Sequence, residues 1–155
     1  MTNATVDADE MIQALGRSIG IDGLKLDPSG YCCLGFDSVI VNLERDRARG
    51  EFLLYAEIAP LPPDMSRDAL LDMLQANHYG VMTGSGSIGI DRAAARVYLS
   101  DRMLIDGLNA KALGERLTQF VERAEGWQRH LAQGRNGREP VAEIPRRDEF
   151  LVFRG

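Results

Sequence analysis

The sequence predicts an α+β domain in the order α-β-β-β-α-β-β-α, with a twisted antiparallel sheet flanked by helices. Three observations predict it. Near both ends of the central region, apolar residues recur at spacings of three and four, the repeat of one helix face. Between them lie apolar runs joined by short polar turns, and connections that short favour antiparallel hairpins. The strand–helix–strand alternation that builds a parallel sheet is missing.

Asp9 to Gly20 reads as the first helix, with Met11, Ile12, Leu15 and Ile19 along one stripe and Gly20 and Gly23 ending it. Asp27-Pro28-Ser29-Gly30 is a turn signal. Three strands are expected next: Tyr31 to Phe36, Val39 to Glu44 and Phe52 to Ile58. Asp37-Ser38 links the first pair and the charged run Arg45 to Gly50 the second. Pro60, Pro62 and Pro63 stop the sheet, since proline has no N–H to give a ladder.

Ser66 is the expected N-cap of a second helix, with Leu70, Leu71, Leu74 and His78 dominating one side. A glycine-rich segment, Gly80 to Gly89, leads into a strand at Ser87 to Asp91. After a turn at Arg92 to Ala94 comes a strand at Ala95 to Ser100. A closing helix, about Asn109 to Leu131, carries Leu113, Leu117, Phe120, Val121, Ala124 and Trp127 on its apolar side. The chain is therefore read as one domain, 1–133, and a mobile tail, 134–155, rich in glycine, proline and charge. Within that tail, Phe150, Leu151, Val152 and Phe153 could dock as an extra strand.

A 155-residue chain has the size of one domain. It can bury roughly 70% of its unfolded surface, so it needs no disulfide or metal to fold. Its 45% hydrophobic and 26% charged residues are ordinary globular usage. The net charge of -5 and pI near 5.0 repel phosphate backbones, which argues against a nucleic-acid partner. Arg45, Arg47 and Arg49 cluster, but Glu44, Asp46 and Glu51 are interleaved with them, as on a solvated turn. Cys32 and Cys33 are neighbours whose strand positions point to opposite faces, so two reduced thiols are expected. The opening MTNATVDADEM lacks a basic stretch followed by an apolar one, so no signal peptide is expected. No run reaches the ~18 apolar residues of a membrane helix. These features point to the cytosol, with neither nucleic acid nor membrane as partner.

Gly84-Ser85-Gly86-Ser87-Ile88-Gly89 satisfies G-x-G-x-x-G. A phosphate site needs that loop between a strand and a helix, so that helix N–H groups meet the anion. Here the loop leaves a helix and enters a strand. His78 and His130 are the two histidines, and neither belongs to a metal-ligand pattern. The cysteines have no basic helix terminus beside them, and no serine sits in a G-x-S-x-G elbow. No catalytic residues, metal ligands or cofactor are therefore assigned. More telling is that both alternating sets of the first three strands are largely apolar, as in Cys32/Leu34/Phe36 and Val39/Ile40/Val41. A sheet with one wet face alternates more cleanly. Either the chain's own helices cover the second face, or it is left for another chain.

From the second helix onward the sequence becomes more specific. It reads Leu70-Leu71-Asp72-Met73-Leu74-Gln75-Ala76-Asn77-His78-Tyr79-Gly80, then Thr83-Gly84-Ser85-Gly86-Ser87-Ile88-Gly89-Ile90-Asp91. The strand Ala95-Arg96-Val97-Tyr98-Leu99 and the helix segment Phe120-Val121-Glu122-Arg123-Ala124-Glu125-Gly126-Trp127 follow. This resembles the class I chaperones of bacterial type III secretion, the CesT (Tir chaperone) family, over about Asp9 to Leu131. The resemblance implies a small acidic cytoplasmic homodimer without enzymatic activity. It would bind the N-terminal chaperone-binding region of one or more effectors, keep them secretion-competent and help deliver them to the secretion ATPase. Carried over by position, Leu70, Leu71, Leu74 and His78 would form the dimer interface. Met11, Leu15, Ile19, Leu34, Phe36, Val39, Val41, Phe52 and Leu54 would supply effector-binding patches and the core between them. Two other readings stand beside it. One is a regulatory adaptor of the same fold that sequesters a regulator of secretion gene expression. The other is an enzyme that uses the glycine loop for a nucleotide.

Overall fold

The computed structural model describes residues 7–134. Helix α1 (Ala8–Ser18) is followed by strands β1 (Tyr31–Phe36), β2 (Val39–Asp46) and β3 (Glu51–Pro60). Next come α2 (Arg67–Asn77), a 3₁₀ turn (His78–Gly80), β4 (Ser87–Asp91), β5 (Arg96–Leu104) and α3 (Ala110–Gln133). The five strands form one antiparallel sheet in the order β1-β2-β3-β5-β4. This is the expected α+β order, with β2, β3 and β5 running longer than their apolar runs suggested.

Each helix begins on a side-chain cap. Asp7 accepts from Asp9 N at 3.0 Å, Ser66 from Ala69 N at 3.1 Å and Asn109 from Ala112 N at 2.9 Å, so three otherwise orphaned helix donors are satisfied. The turn before β1 is held by Asp27, whose carboxylate accepts from Ser29 N (2.8 Å), Ser29 Oγ (2.5 Å) and Tyr31 N (3.0 Å). Those bonds, led by the Ser29 hydroxyl, favour the charged form and lower the Asp27 pKa.

Alternation decides the layers. Leu34, Val39, Val41, Leu43, Phe52, Leu54, Ala56, Val97 and Leu99 are buried on one face of the sheet. Over them lies the stripe Leu113, Leu117, Phe120, Ala124, Trp127 and Leu131 of α3, with Met11, Ile12 and Leu15 of α1 packed beside it. Helix α2 closes the β4 end through Met73 and Ala76. The stripe singled out in the sequence, Leu70/Leu71/Leu74/His78, is therefore not the one that packs inward: Leu71, Leu74 and His78 are exposed. Both sides of α2 are apolar, and contact with β4 chose between them.

One charge enters the core. Asp101 of β5, 3% exposed, accepts from Arg116 Nη2 and Ser85 Oγ at 2.8 Å each and from the Arg102 main-chain N at 2.8 Å. The network ties α3 and the glycine loop to the sheet. Burial of a carboxylate is tolerated because it is paired and hydrogen-bonded.

Candidate functional site

No helix among the described residues is long and apolar enough to cross a membrane. No group of three or more metal-ligating side chains occurs among them either. What the described chain offers instead is surface.

The sheet face opposite the helices is the first such surface. Of the two explanations for doubly apolar strands, the described helices account for one face. The other presents Tyr31, Ile40, Asn42, Leu53, Tyr55 and Tyr98, half-buried except for Ile40, which is 64% exposed. It is amphipathic rather than greasy. Tyr31 donates to Asn42 Oδ1 at 2.7 Å, Tyr55 donates to Glu44 Oε1 at 2.6 Å, and the Tyr55 and Tyr98 rings meet edge to face at 6.3 Å. Burial and the Glu44 carboxylate beside it raise the Tyr55 pKa, so its hydroxyl stays a donor.

That face ends at two different strand edges. At β1, Arg45 N bonds Gly30 O at 2.8 Å. By the antiparallel alternation, the main-chain groups of Cys33 and Gly35 therefore turn away from β2, toward an edge that no other described strand covers. A Cβ at Gly35 would meet nothing within 4 Å. The opposite edge, β4, is blocked at its middle: Asn77 Nδ2 donates to Ile88 O at 3.0 Å and Ile88 N donates to Asn77 Oδ1 at 2.8 Å. Among the described residues, no strand lies beside Cys33 and Gly35 at the β1 edge, whereas a side-chain amide is already in place at β4.

Beyond Tyr55, β3 no longer pairs with β2, and its register with β5 shifts between Glu57 and Ala59. A groove of about 560 Å³ opens there between β2, β3, β5 and the end of α3. Its walls include Ile40, Ile58, Pro60, Tyr98 and Leu131. Gln128 spans one side, bonding Ser38 O at 3.2 Å and Glu57 O at 3.3 Å.

The outward side of α2 is the other surface. Leu71 is 45% exposed and Leu74 67%; beyond the helix, Tyr79 is 91% and Val81 40% exposed. Tyr79 sits at φ 56°, a left-handed conformation that swings its ring away from the body. Ile90, on the strand α2 packs against, is 43% exposed. Four exposed apolar residues between 71 and 81 are more than a lone surface leucine.

The residues assigned from the sequence divide accordingly. Leu71, Leu74 and His78 lie on the outward side of α2, with Leu70 half-buried at its margin. Ile19 (38% exposed) and Phe36 (half-buried) reach solvent. Met11, Leu15, Leu34, Val39, Val41, Phe52 and Leu54 do not; all are within the core, at 3% exposure or less. A side chain fully enclosed by its own chain has no surface to give a partner, so these seven belong to packing in the described structure. Ile40, Tyr79, Val81 and Ile90, not assigned from the sequence, are also exposed. Ile40 carried a signal, an apolar residue out of phase with Val39 and Val41. Tyr79 carried none, because its exposure follows from a backbone kink.

The glycine motif is explained by contacts. A Cβ on Gly86 would sit 2.5 Å from the Ser100 carbonyl oxygen, and one on Gly84 2.5 Å from the Arg123 guanidinium carbon. The loop's N–H groups at Gly84 and Gly86 already bond Gly80 O (2.8 Å) and Thr83 O (3.0 Å). Trp127 Nε1 adds a bond to Met82 O at 3.2 Å. The glycines let this loop press against α3 and β5.

Comparison with known proteins agrees with this architecture. The family model described as the Tir chaperone protein (CesT) family matches residues 10–128. No curated protein matches the sequence. Among solved structures, the ExsC–ExsE complex superposes with a TM-score of 0.71 at 24% identity, over 84% of this chain and 97% of that one. The HopA1–SchA chaperone–effector complex gives 0.65 at 20% identity, over 77% and 91%. The Yersinia pestis type III secretion chaperone SycH, solved with a stable fragment of YscM2, gives 0.61 at 17% identity, over 77% and 98%. At these identities the likeness is one of fold.

Proposed function

We propose, from the premise that the chain belongs to the Tir chaperone protein (CesT) family, that it is a bacterial type III secretion chaperone. It binds the N-terminal chaperone-binding region of one or more effectors and keeps them secretion-competent, by holding them rather than by turnover. The observation that carries this reading is the match to the family model over residues 10–128. The fold neighbours support it, since one is a chaperone–effector complex and another a secretion chaperone bound to a protein fragment.

The surfaces suit the task. A peptide chain adding to the open β1 edge gains main-chain hydrogen bonds without needing a particular sequence. The half-buried tyrosines and Ile40 then offer apolar contact with polar tips, which adapts to varied side chains. The outward side of α2, with Leu71, Leu74, Tyr79 and Val81, is the proposed homodimer surface. The cell compartment is the cytoplasm, and the secretion ATPase is a further partner in delivery.

The test is affinity isolation of the tagged chain from its host under native conditions, followed by limited proteolysis of whatever is bound. A secreted protein protected over its N-terminal segment, and no longer secreted when this chain is deleted, supports the chaperone. Recovery only of a protein that is never secreted replaces it with the adaptor that sequesters a regulator. A complex that forms only with an added nucleotide points back to an enzyme.

A further inference from the structure

The groove at the end of α3 has an occupant close at hand in sequence. Leu131 and Ala132 of α3 form part of its wall. A second depression, about 330 Å³, shares Ala59, Pro60 and Leu131 with it and is bordered by Gly134. The chain thus leaves its last helix on the rim of the groove. The following segment, 135–155, lies outside the described residues and contains one run of four consecutive apolar side chains, Phe150-Leu151-Val152-Phe153.

We propose that this run docks into the groove of its own chain. Fifteen residues separate it from Gly134, enough to reach up to roughly 50 Å when extended, so distance does not forbid the contact. Tethering makes the encounter intramolecular, with an effective concentration of the order of millimolar. The groove supplies apolar walls in Ile40, Ile58, Pro60 and Leu131 and an aromatic face in Tyr98. Two phenylalanines are the residues such walls favour, since each removes about 150–250 Å² from water. Strands β2 and β3 pair only from Asn42/Tyr55 to Asp46/Glu51, so Ile40 on one strand and residues 57–60 on the other stand beyond that ladder, and the groove lies between them. The docking holds whether the chain carries effectors or a regulator.

The experiment uses the full chain with a benzophenone-bearing phenylalanine in place of Phe153. After irradiation, cross-linked peptides are mapped in a mixture of isotope-labelled and unlabelled chains. The expected result is a same-chain cross-link to residues 38–42 or 57–60. Ile40→Glu should reduce it about tenfold, the equivalent of losing one apolar contact of ~1.5 kcal/mol. Ile40 is 64% exposed, so that variant keeps its core. A second readout is the amide resonances of Ile40 and Gln128, which should move in Phe150→Asp/Phe153→Asp. Cross-links to any other surface, cross-links only between different chains, or resonances that stay in place would each overturn the proposal.

Discussion

The side-chain amide of Asn77 satisfies both main-chain hydrogen-bonding groups of Ile88, donating to its carbonyl at 3.0 Å and accepting from its N–H at 2.8 Å. One residue at the end of α2 thereby stands in for a neighbouring strand at the outer edge of β4. Replacing it by alanine leaves two part-buried groups unpaired. Asn77→Ala should destabilise the fold by about 1–3 kcal/mol, the cost of stranding such groups. Urea denaturation followed by circular dichroism measures this directly, and a midpoint unchanged from wild type would show that water replaces the amide at no cost.

Leu74→Asp separates folding from self-association. Leu74 is 67% exposed, so the change should alter the stability of a single chain by no more than ~0.5 kcal/mol. If the outward side of α2 pairs two copies, the same charge becomes unpaired and buried in the interface, which is costly. Light scattering should then report a monomer with an unchanged circular dichroism spectrum. A variant that remains dimeric would move the interface elsewhere.

The Asp101–Arg116 pair is asymmetric, with side-chain exposures of 1% and 34%. Removing the carboxylate strands a cation that can still reach water, so Asp101→Ala should cost on the order of 2–3 kcal/mol, below the full penalty of a broken buried pair. Asp101→Leu combined with Arg116→Met should be more stable than Asp101→Ala alone, since neither charge then remains. A double-mutant cycle by thermal denaturation decides it, and additivity of the two single changes would refute the coupling.

Glycines of one motif should respond with opposite signs. Gly86→Ala places a Cβ 2.5 Å from the Ser100 carbonyl oxygen and should cost about 1–3 kcal/mol. Gly89→Ala meets nothing within 4 Å and should be neutral or stabilising by up to ~1 kcal/mol, because it removes unfolded-state freedom from a strand. Equal destabilisation of the two melting curves would mean that the motif has a role beyond packing.

Cys32 and Cys33 differ in reach. Cys32 is buried and Cys33 exposed; desolvation pushes the Cys32 thiol from 9.0 up to about 11. One thiol per chain should react with a colorimetric disulfide reagent at pH 8, and two after unfolding in guanidinium. Because the folded-state pKa is the higher one, the stability linked to Cys32 is complete below about 9 and declines as pH rises from 9.0 toward about 11. Prompt titration of both thiols in the native protein would place Cys32 at the surface.

By itself the sequence determined the α+β order, the hairpins and the apolar stripe of α3. These follow from local spacing, since a helix repeats every 3.6 residues, a strand every two, and prolines and glycines mark the breaks. The family resemblance was likewise carried by short runs such as Leu70 to Gly80 and Phe120 to Trp127. The tertiary structure decided which face of each doubly apolar element points inward. Val39 and Val41 went into the core while Ile40 went to the open face, and Met73 rather than Leu74 turned toward β4. Periodicity fixes which residues share a face, but burial is settled by whatever packs against that face, and those partners lie far away in the chain. The same holds for Asn77 and Ile88, and for Asp101 and Arg116: each pair exists because the sheet order places β5 beside β3 and β4 at the edge, a long-range choice that local spacing does not encode.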